Sequence, residues 1–254
     1  MLAYEILGDP PAPVIVLGGS LGTTRTMWHP QMTALAADYR VVAFDHRGHG
    51  DSPAPPGPYR IDELGAELLD LLDRLQLPRV SYAGLSLGGM LGMWLAAHAP
   101  RRVQRLALLC TSAHLPPAQA WLDRACQVRA HGTASITETI VQRWFTPEFR
   151  YREPQVVSAL ADSLASIPAE GYAGCCAAMA EMDLRPVLPR ITAPTLVIAG
   201  AEDPATPPVH AQQIADAVPG ARLEILSPGA HLLNVEQAPA VTRLLRSHFR
   251  RHDG

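Results

Sequence analysis

The chain contains no lysine, and all 21 of its basic residues are arginine. We read the absence as codon usage rather than chemistry, yet it restricts the cations of any binding site to arginine and histidine. No charge of either sign dominates: a formal net charge of −3 offers no global attraction for nucleic acid or an anionic membrane. No apolar run reaches the length of a membrane span, and Met1-Leu2-Ala3-Tyr4-Glu5 lacks the basic start of a secretory signal. Cysteine is scarce too. Cys110, Cys126, Cys175 and Cys176 form no CxxC pair and no metal-ligand spacing, so neither a disulfide framework nor a cysteine metal site organises the fold. Adjacent Cys175 and Cys176 are expected to sit reduced in a packed helix, and the cytoplasm is the expected compartment. Internal repeats, linkers and low-complexity segments are absent as well. What remains is 254 residues, 48% hydrophobic and 18% charged, a globular balance that fits one large domain or a core with an insertion.

Buried strands are expected at 13–17, 39–45, 80–85, 103–110 and 193–199, each a short apolar run bounded by turn residues, and a further strand at 222–226. Helices are expected between them, at 28–37, 61–75, 87–97, 208–218 and 233–249. The second of these carries apolar residues at 61, 64, 68, 71, 72 and 75, the 3.6-residue period of a helix lying on a sheet. Strands alternating with helices argue for a mostly parallel central sheet covered on both faces. From His114 the pattern changes. No strand run follows until about Pro189, only helical stretches (118–131, 135–144, 156–164 and 171–182) broken by Gly132, Pro147, Pro154 and Pro168. The expected organisation is a core of residues 1–114 and 187–254, with residues 115–186 inserted as a helical cap over the strands' carboxyl ends, where ligands bind in such sheets.

The centre of the chemistry is Gly84-Leu85-Ser86-Leu87-Gly88, lying between a strand and a helix. A serine pushed out on so sharp a turn has a strained backbone, and the flanking glycines relieve crowding around it. A serine hydroxyl is a poor nucleophile until a base takes its proton, and the base needs a carboxylate to fix its tautomer. Asp203 and His231 follow the next two strand ends, in the order Ser…Asp…His. Glu202 is the rival acid; Asp203 is preferred because the Asp-Pro step directs the chain into a turn that holds a short side chain rigidly. Gly18-Gly19-Ser20-Leu21-Gly22 lacks the lysine of a P-loop and the spacing of a dinucleotide site. It reads as a loop whose backbone N–H groups approach a substrate carbonyl. Asp45-His46-Arg47-Gly48-His49-Gly50-Asp51-Ser52 tempts a metal reading, but its glycines and strand-end position fit a structural turn. His29, His98 and His210, in helical context, and His248 and His252, near a fraying terminus, are assigned structural or solvated roles.

Together these features identify the chain as a member of the α/β-hydrolase superfamily, a resemblance covering nearly its whole length. Within it, the chain resembles the 3-oxoadipate enol-lactonases of bacterial aromatic catabolism. That narrower likeness rests on Ser20-Leu21-Gly22-Thr23 with Met27-Trp28, the Asp45-x-Arg47-Gly48-x-Gly50-x-Ser52 turn and Gly84-Leu85-Ser86-Leu87-Gly88-Gly89. It continues in Arg143-Trp144-Phe145-Thr146-Pro147, Gly171-Tyr172, Asp183-Leu184-Arg185 and His231-x-x-Asn234-Val235-Glu236. Gly18-Gly19 departs from the His-Gly of many superfamily members, which puts the loop's support in question. The resemblance implies a catalytic triad of Ser86, Asp203 and His231 and an oxyanion hole formed by the N–H groups of Ser20 and Leu87. It implies a small anionic lactone or ester as substrate and no cofactor, metal, nucleic-acid or membrane partner. For the substrate's carboxylate the sequence offers Arg143, with Trp144 as an apolar wall. A broad-range carboxylesterase or a cofactor-free perhydrolase would use the same triad, and a ligand-sensing signalling protein could carry the same fold.

Overall fold

Apolar runs too short for helices become the strands of one sheet, and the amphipathic runs between them become its cover. The structure is a computed structural model and describes residues 1–250. In chain order the core begins β1 (Tyr4–Leu7), β2 (Val14–Gly18), α1 (His29–Leu35), β3 (Arg40–Phe44), α2 (Ile61–Arg74), β4 (Val80–Leu85), α3 (Leu87–His98) and β5 (Val103–Leu109). Five helices follow: α4 (Ala118–His131), α5 (Thr137–Trp144), α6 (Pro147–Arg152), α7 (Pro154–Ala165) and α8 (Ala169–Glu181). The sheet then resumes with β6 (Thr195–Gly200), α9 (Pro208–Ala217) and β7 (Arg222–Leu226), before α10 (Leu233–Glu236) and α11 (Ala238–Phe249).

The seven strands lie in the order β1-β3-β2-β4-β5-β6-β7, an α/β-hydrolase sheet. All neighbours are parallel except β1 against β3. Strand β4 is central: Ala83 pairs with Leu17 on one side and Ala107 on the other. All six of its residues are buried, so it reads as a continuous apolar run rather than an alternating one. The strand order reverses between β2 and β4. The crevice at their carboxyl ends is therefore the switch point where open α/β sheets bind ligands, and Gly18 and Leu85 end the two strands that flank it. Helix α2 buries Leu64, Leu68, Leu71 and Leu72, the stripe its period predicts.

Several elements differ from expectation. β1 was invisible because its four residues are all half-buried; only pairing with β3 makes them a strand. The expected helix over 233–249 is two helices, because Gln237 leaves helical geometry (φ −117°, ψ 41°) and Pro239 opens α11. Pro147 and Pro154 start helices rather than merely breaking them, as residues whose missing N–H is harmless in a first turn. Thr146 caps α6, its hydroxyl accepting from the Phe149 N–H at 3.3 Å. The stretch 135–144 divides into a 3₁₀ turn (Thr133–Ile136) and α5. His248 does not fray: it is buried, and its Nε2–H donates to the Leu106 carbonyl at 2.9 Å. His252 lies outside the described residues. Cys175 and Cys176 are buried free thiols in α8.

Candidate active site

Ser86 connects β4 to α3 with φ 56° and ψ −114°, a region that side chains other than glycine avoid. Its backbone is fixed on both sides. Its N–H donates to the Leu109 carbonyl at 2.9 Å, and the Thr111 hydroxyl donates to its carbonyl at 2.7 Å. The flanking glycines relieve backbone crowding at this turn. A Cβ on Gly84 would lie 2.1 Å from the Gly88 carbonyl oxygen, and one on Gly88 would lie 2.2 Å from that of Gly18. They let α3 start hard against β2. With Ser86 as the residue before α3, the Leu87 N–H heads the helix and points with its positive end toward the switch point.

Asp203 and His231 meet at the ends of β6 and β7. His231 Nδ1 donates to Asp203 Oδ2 at 2.8 Å; a carboxylate only accepts, so Nδ1 carries the proton and Nε2 stays open. The rest of the Asp203 carboxylate is saturated. The Ala205 and Thr206 N–H groups donate to Oδ1 at 2.8 and 3.0 Å, and the Thr206 hydroxyl donates to Oδ2 at 2.7 Å. Burial alone would push this carboxyl up, but the facing His231 and the Thr206 donors outweigh it and hold Asp203 below the ordinary carboxylate range. Glu202 does a different job. It accepts from Ser227 Oγ at 2.9 Å and the Gly229 N–H at 2.6 Å, fixing the turn before His231. Glu236 holds that turn from the other side, accepting from the Ala230 N–H at 2.9 Å and from Thr146, the cap of α6. Thr206 and Glu236 were missed as functional residues. The Asp-x-x-Thr spacing could have flagged Thr206, whereas the partners of Glu236 are distant in sequence. Ser86 and His231 line one cavity, and no hydrogen bond joins the Ser86 hydroxyl to the imidazole among the described residues.

The glycine loop after β2 receives its support from the turn after β3. His46 Nε2–H donates to the Gly19 carbonyl at 2.8 Å, and His49 Nε2 accepts from the Gly22 N–H at 3.0 Å. His49 Nδ1 faces the Arg47 carbonyl at 3.1 Å and must carry the proton. Burial lowers both rings, His49 to about 3, and a neutral His49 is what the Gly22 N–H requires. Asp45 is bound to Arg25 and accepts from the Asp51 N–H at 3.1 Å. These four residues therefore each have a structural partner and do not converge on a metal. The Ser20 N–H donates to Met27 Sδ at 3.4 Å, and Asn234 Nδ2 holds the Met27 carbonyl at 2.9 Å. The expected oxyanion donor is thus engaged by a thioether, a weak acceptor.

Above Ser86 the helices α4, α5 and α8 close a cavity of about 110 Å³, room for a small ring rather than a long acyl chain. Trp144 is a buried part of its wall. Arg143 lines it but is exposed, at the rim, where it also borders an outer cleft. A second arginine that the sequence did not single out, Arg124 on α4, lines the cavity and is half-buried. No aspartate or glutamate lines it.

The sequence profile of the alpha/beta hydrolase fold family matches residues 12–238. The chain is 42% identical to 3-oxoadipate enol-lactonase 2 of Acinetobacter baylyi over 250 residues, covering 98% of this chain and 93% of the relative. Its structure superposes on that of the enol-lactonase from Burkholderia xenovorans with a TM-score of 0.95, at 40% identity, covering 97% of this chain and 95% of that one. A thermophilic esterase from Thermogutta terrifontis, solved with malate bound, gives a TM-score of 0.91 at 29% identity, over 97% of this chain and 92% of that one. On sequence and fold together, this chain belongs to the α/β-hydrolase family and is similar over nearly its whole length to the 3-oxoadipate enol-lactonases.

Proposed function

We propose that this protein is a cytoplasmic serine hydrolase that opens the ring of 3-oxoadipate enol-lactone to 3-oxoadipate, in the β-ketoadipate route of aromatic catabolism. The observation that carries the reading is one cavity that joins Ser86 and the Asp203-bound His231 to two arginines and no acidic side chain. The similarity to enol-lactonases supports the choice of lactone. In this reading residues 115–186 form the cap that selects the substrate.

His231 Nε2 takes the Ser86 proton as Oγ attacks the lactone carbonyl, a contact that closes when substrate is bound. The oxyanion collects the Leu87 N–H and draws the Ser20 N–H away from Met27, each donor worth about 3 kcal/mol in the transition state. The ring C–O bond breaks, and the imidazolium returns its proton to the leaving enol oxygen. That leaving group stays tethered and could reclose the ring; tautomerisation to the ketone removes it as a nucleophile. Water, deprotonated by His231, then releases the acyl group from Ser86 as a carboxylate. Asp203 stabilises the imidazolium at each proton transfer.

The test is turnover of freshly generated enol-lactone, corrected for its unaided decay, against p-nitrophenyl esters. A preference for the lactone by orders of magnitude is expected. Comparable rates would favour the second reading, a carboxylesterase of broad range, which the likeness to the Thermogutta terrifontis esterase supports.

A further inference from the structure

Two arginines line the cavity, and they differ in burial: Arg124 is half-buried and Arg143 is exposed. Arg124 lies three residues after Trp121 on α4, and its guanidinium stacks on the Trp121 ring 4.6 Å from the centroid. The indole is itself fixed, its N–H donating to the Leu115 carbonyl at 3.0 Å. A guanidinium held over an aromatic face can still offer N–H groups to a planar carboxylate. The buried Tyr172 phenol stands beside it. No ion pair joins Arg124 to an acidic side chain among the described residues, although Arg129, on the same helix, grips Glu170 with two hydrogen bonds at 2.9 and 3.0 Å. Arg124 is thus a half-buried arginine without a carboxylate partner among the described residues, in a cavity that contains Ser86. Arg143, exposed at the rim, is better hydrated and holds an anion less firmly.

We infer that Arg124 seats the free carboxylate of the substrate, and that the protein therefore also hydrolyses half-esters of short dicarboxylic acids, whose acyl side carries such a carboxylate. The inference rests on Ser86 as the nucleophile. In the half-ester reaction Ser86 Oγ bonds to the ester carbonyl carbon, and the alkoxy group leaves as the alcohol with the proton held by His231. Water then cleaves the acyl-enzyme, so that half-ester and water give the dicarboxylate, the alcohol and a proton.

The experiment compares monomethyl adipate with dimethyl adipate, equal in acyl length and different in charge, in the full chain and in Arg124→Gln, Arg124→Lys and Arg143→Gln. The native protein is expected to prefer the half-ester in kcat/KM. Arg124→Gln is expected to lose about 10- to 100-fold on the half-ester, through KM with kcat kept, and to leave the diester unchanged. Arg124→Lys should recover part of the loss. A loss shared equally by the two esters, or a preference removed by Arg143→Gln instead, overturns the inference. Should the Arg124 variants fail to fold, the Arg143→Gln protein still decides. A half-ester preference and competitive inhibition by glutarate that survive that substitution support the seat, and the loss of either with it refutes it. Enol-lactone assayed in parallel separates the two proposals. Lactone opening that ignores Arg124 ends this inference alone, while half-ester cleavage that depends on Arg124 without lactone opening ends the lactonase reading alone. Failure to cleave either substrate ends both.

Discussion

The floor and the roof of the cavity are built on opposite rules. On the floor, set on strand ends, the acid of the proposed triad is bonded to saturation: Asp203 accepts from two N–H groups, a hydroxyl and an imidazole. In the roof, set on inserted helices, Arg124 and Arg143 line the same space with no ion pair to an acidic side chain among the described residues. The difference teaches where each function is kept. Groups that move protons need fixed geometry, which saturation supplies. Groups that recognise a charged substrate need an open valence, which saturation would remove.

The largest test of that division is the nucleophile. Ser86→Ala is expected to lower kcat by about 10⁴- to 10⁶-fold while the melting temperature holds, since no hydrogen bond of the hydroxyl is present among the described residues. Activity at the native rate in a folded Ser86→Ala protein would remove the floor's role altogether. Next comes the contrast between two adjacent acids. Asp203→Asn should cost about 10⁴-fold in kcat by holding the wrong imidazole tautomer. Glu202→Gln keeps an acceptor for the turn at Gly229 and should stay within about tenfold; a larger loss there than at Asp203 would reverse the assignment.

The third test concerns the histidines under the floor. Burial holds His49 at about 3, and His248 at about 4 with the Leu106 carbonyl opposing the shift, against about 6.5 in an unfolded chain. Between those values the unfolded chain binds protons that the folded one refuses. Stability is therefore full above pH 6.5 and falls as the pH drops through this window, by up to about 1.4 kcal/mol per pH unit for each ring. Denaturant midpoints from pH 7 to pH 4 measure the slope. His49→Gln, which still accepts from Gly22 but does not titrate, should shallow it by one such proton, and an unchanged slope would show that His49 titrates normally. The smallest effect belongs to the rim. Arg143→Gln should change KM for the anionic lactone by no more than about fivefold, as an exposed charge worth under 1 kcal/mol; a hundredfold change would move the anion seat to α5.

Much of the floor was legible because its signals are local. Gly84-x-Ser86-x-Gly88 between an apolar run and a helical stripe marks the elbow, and Asp203 and His231 follow their own strands. What stayed hidden depends on partners far along the chain. Thr146 reaches Glu236, Asn234 reaches Met27 and Leu106 reaches His248, each pair more than 80 positions apart, and no periodicity records such a pair. The difference between the two arginines stayed hidden for the same reason. Arg143 stands beside an attractive tryptophan in sequence, whereas Arg124 differs from it in exposure, which only packing sets.

By itself the sequence determined the alternation of strand and helix, the strained serine turn and the order of the acid and the imidazole, because steric limits and hydrophobic periodicity act over a few residues. Only the tertiary structure decided which acid faces His231, what supports the glycine loop without a histidine of its own, and which cation of the cavity is half-buried. Those outcomes turn on hydrogen bonds and desolvation between elements that meet only once the sheet has closed under the helices.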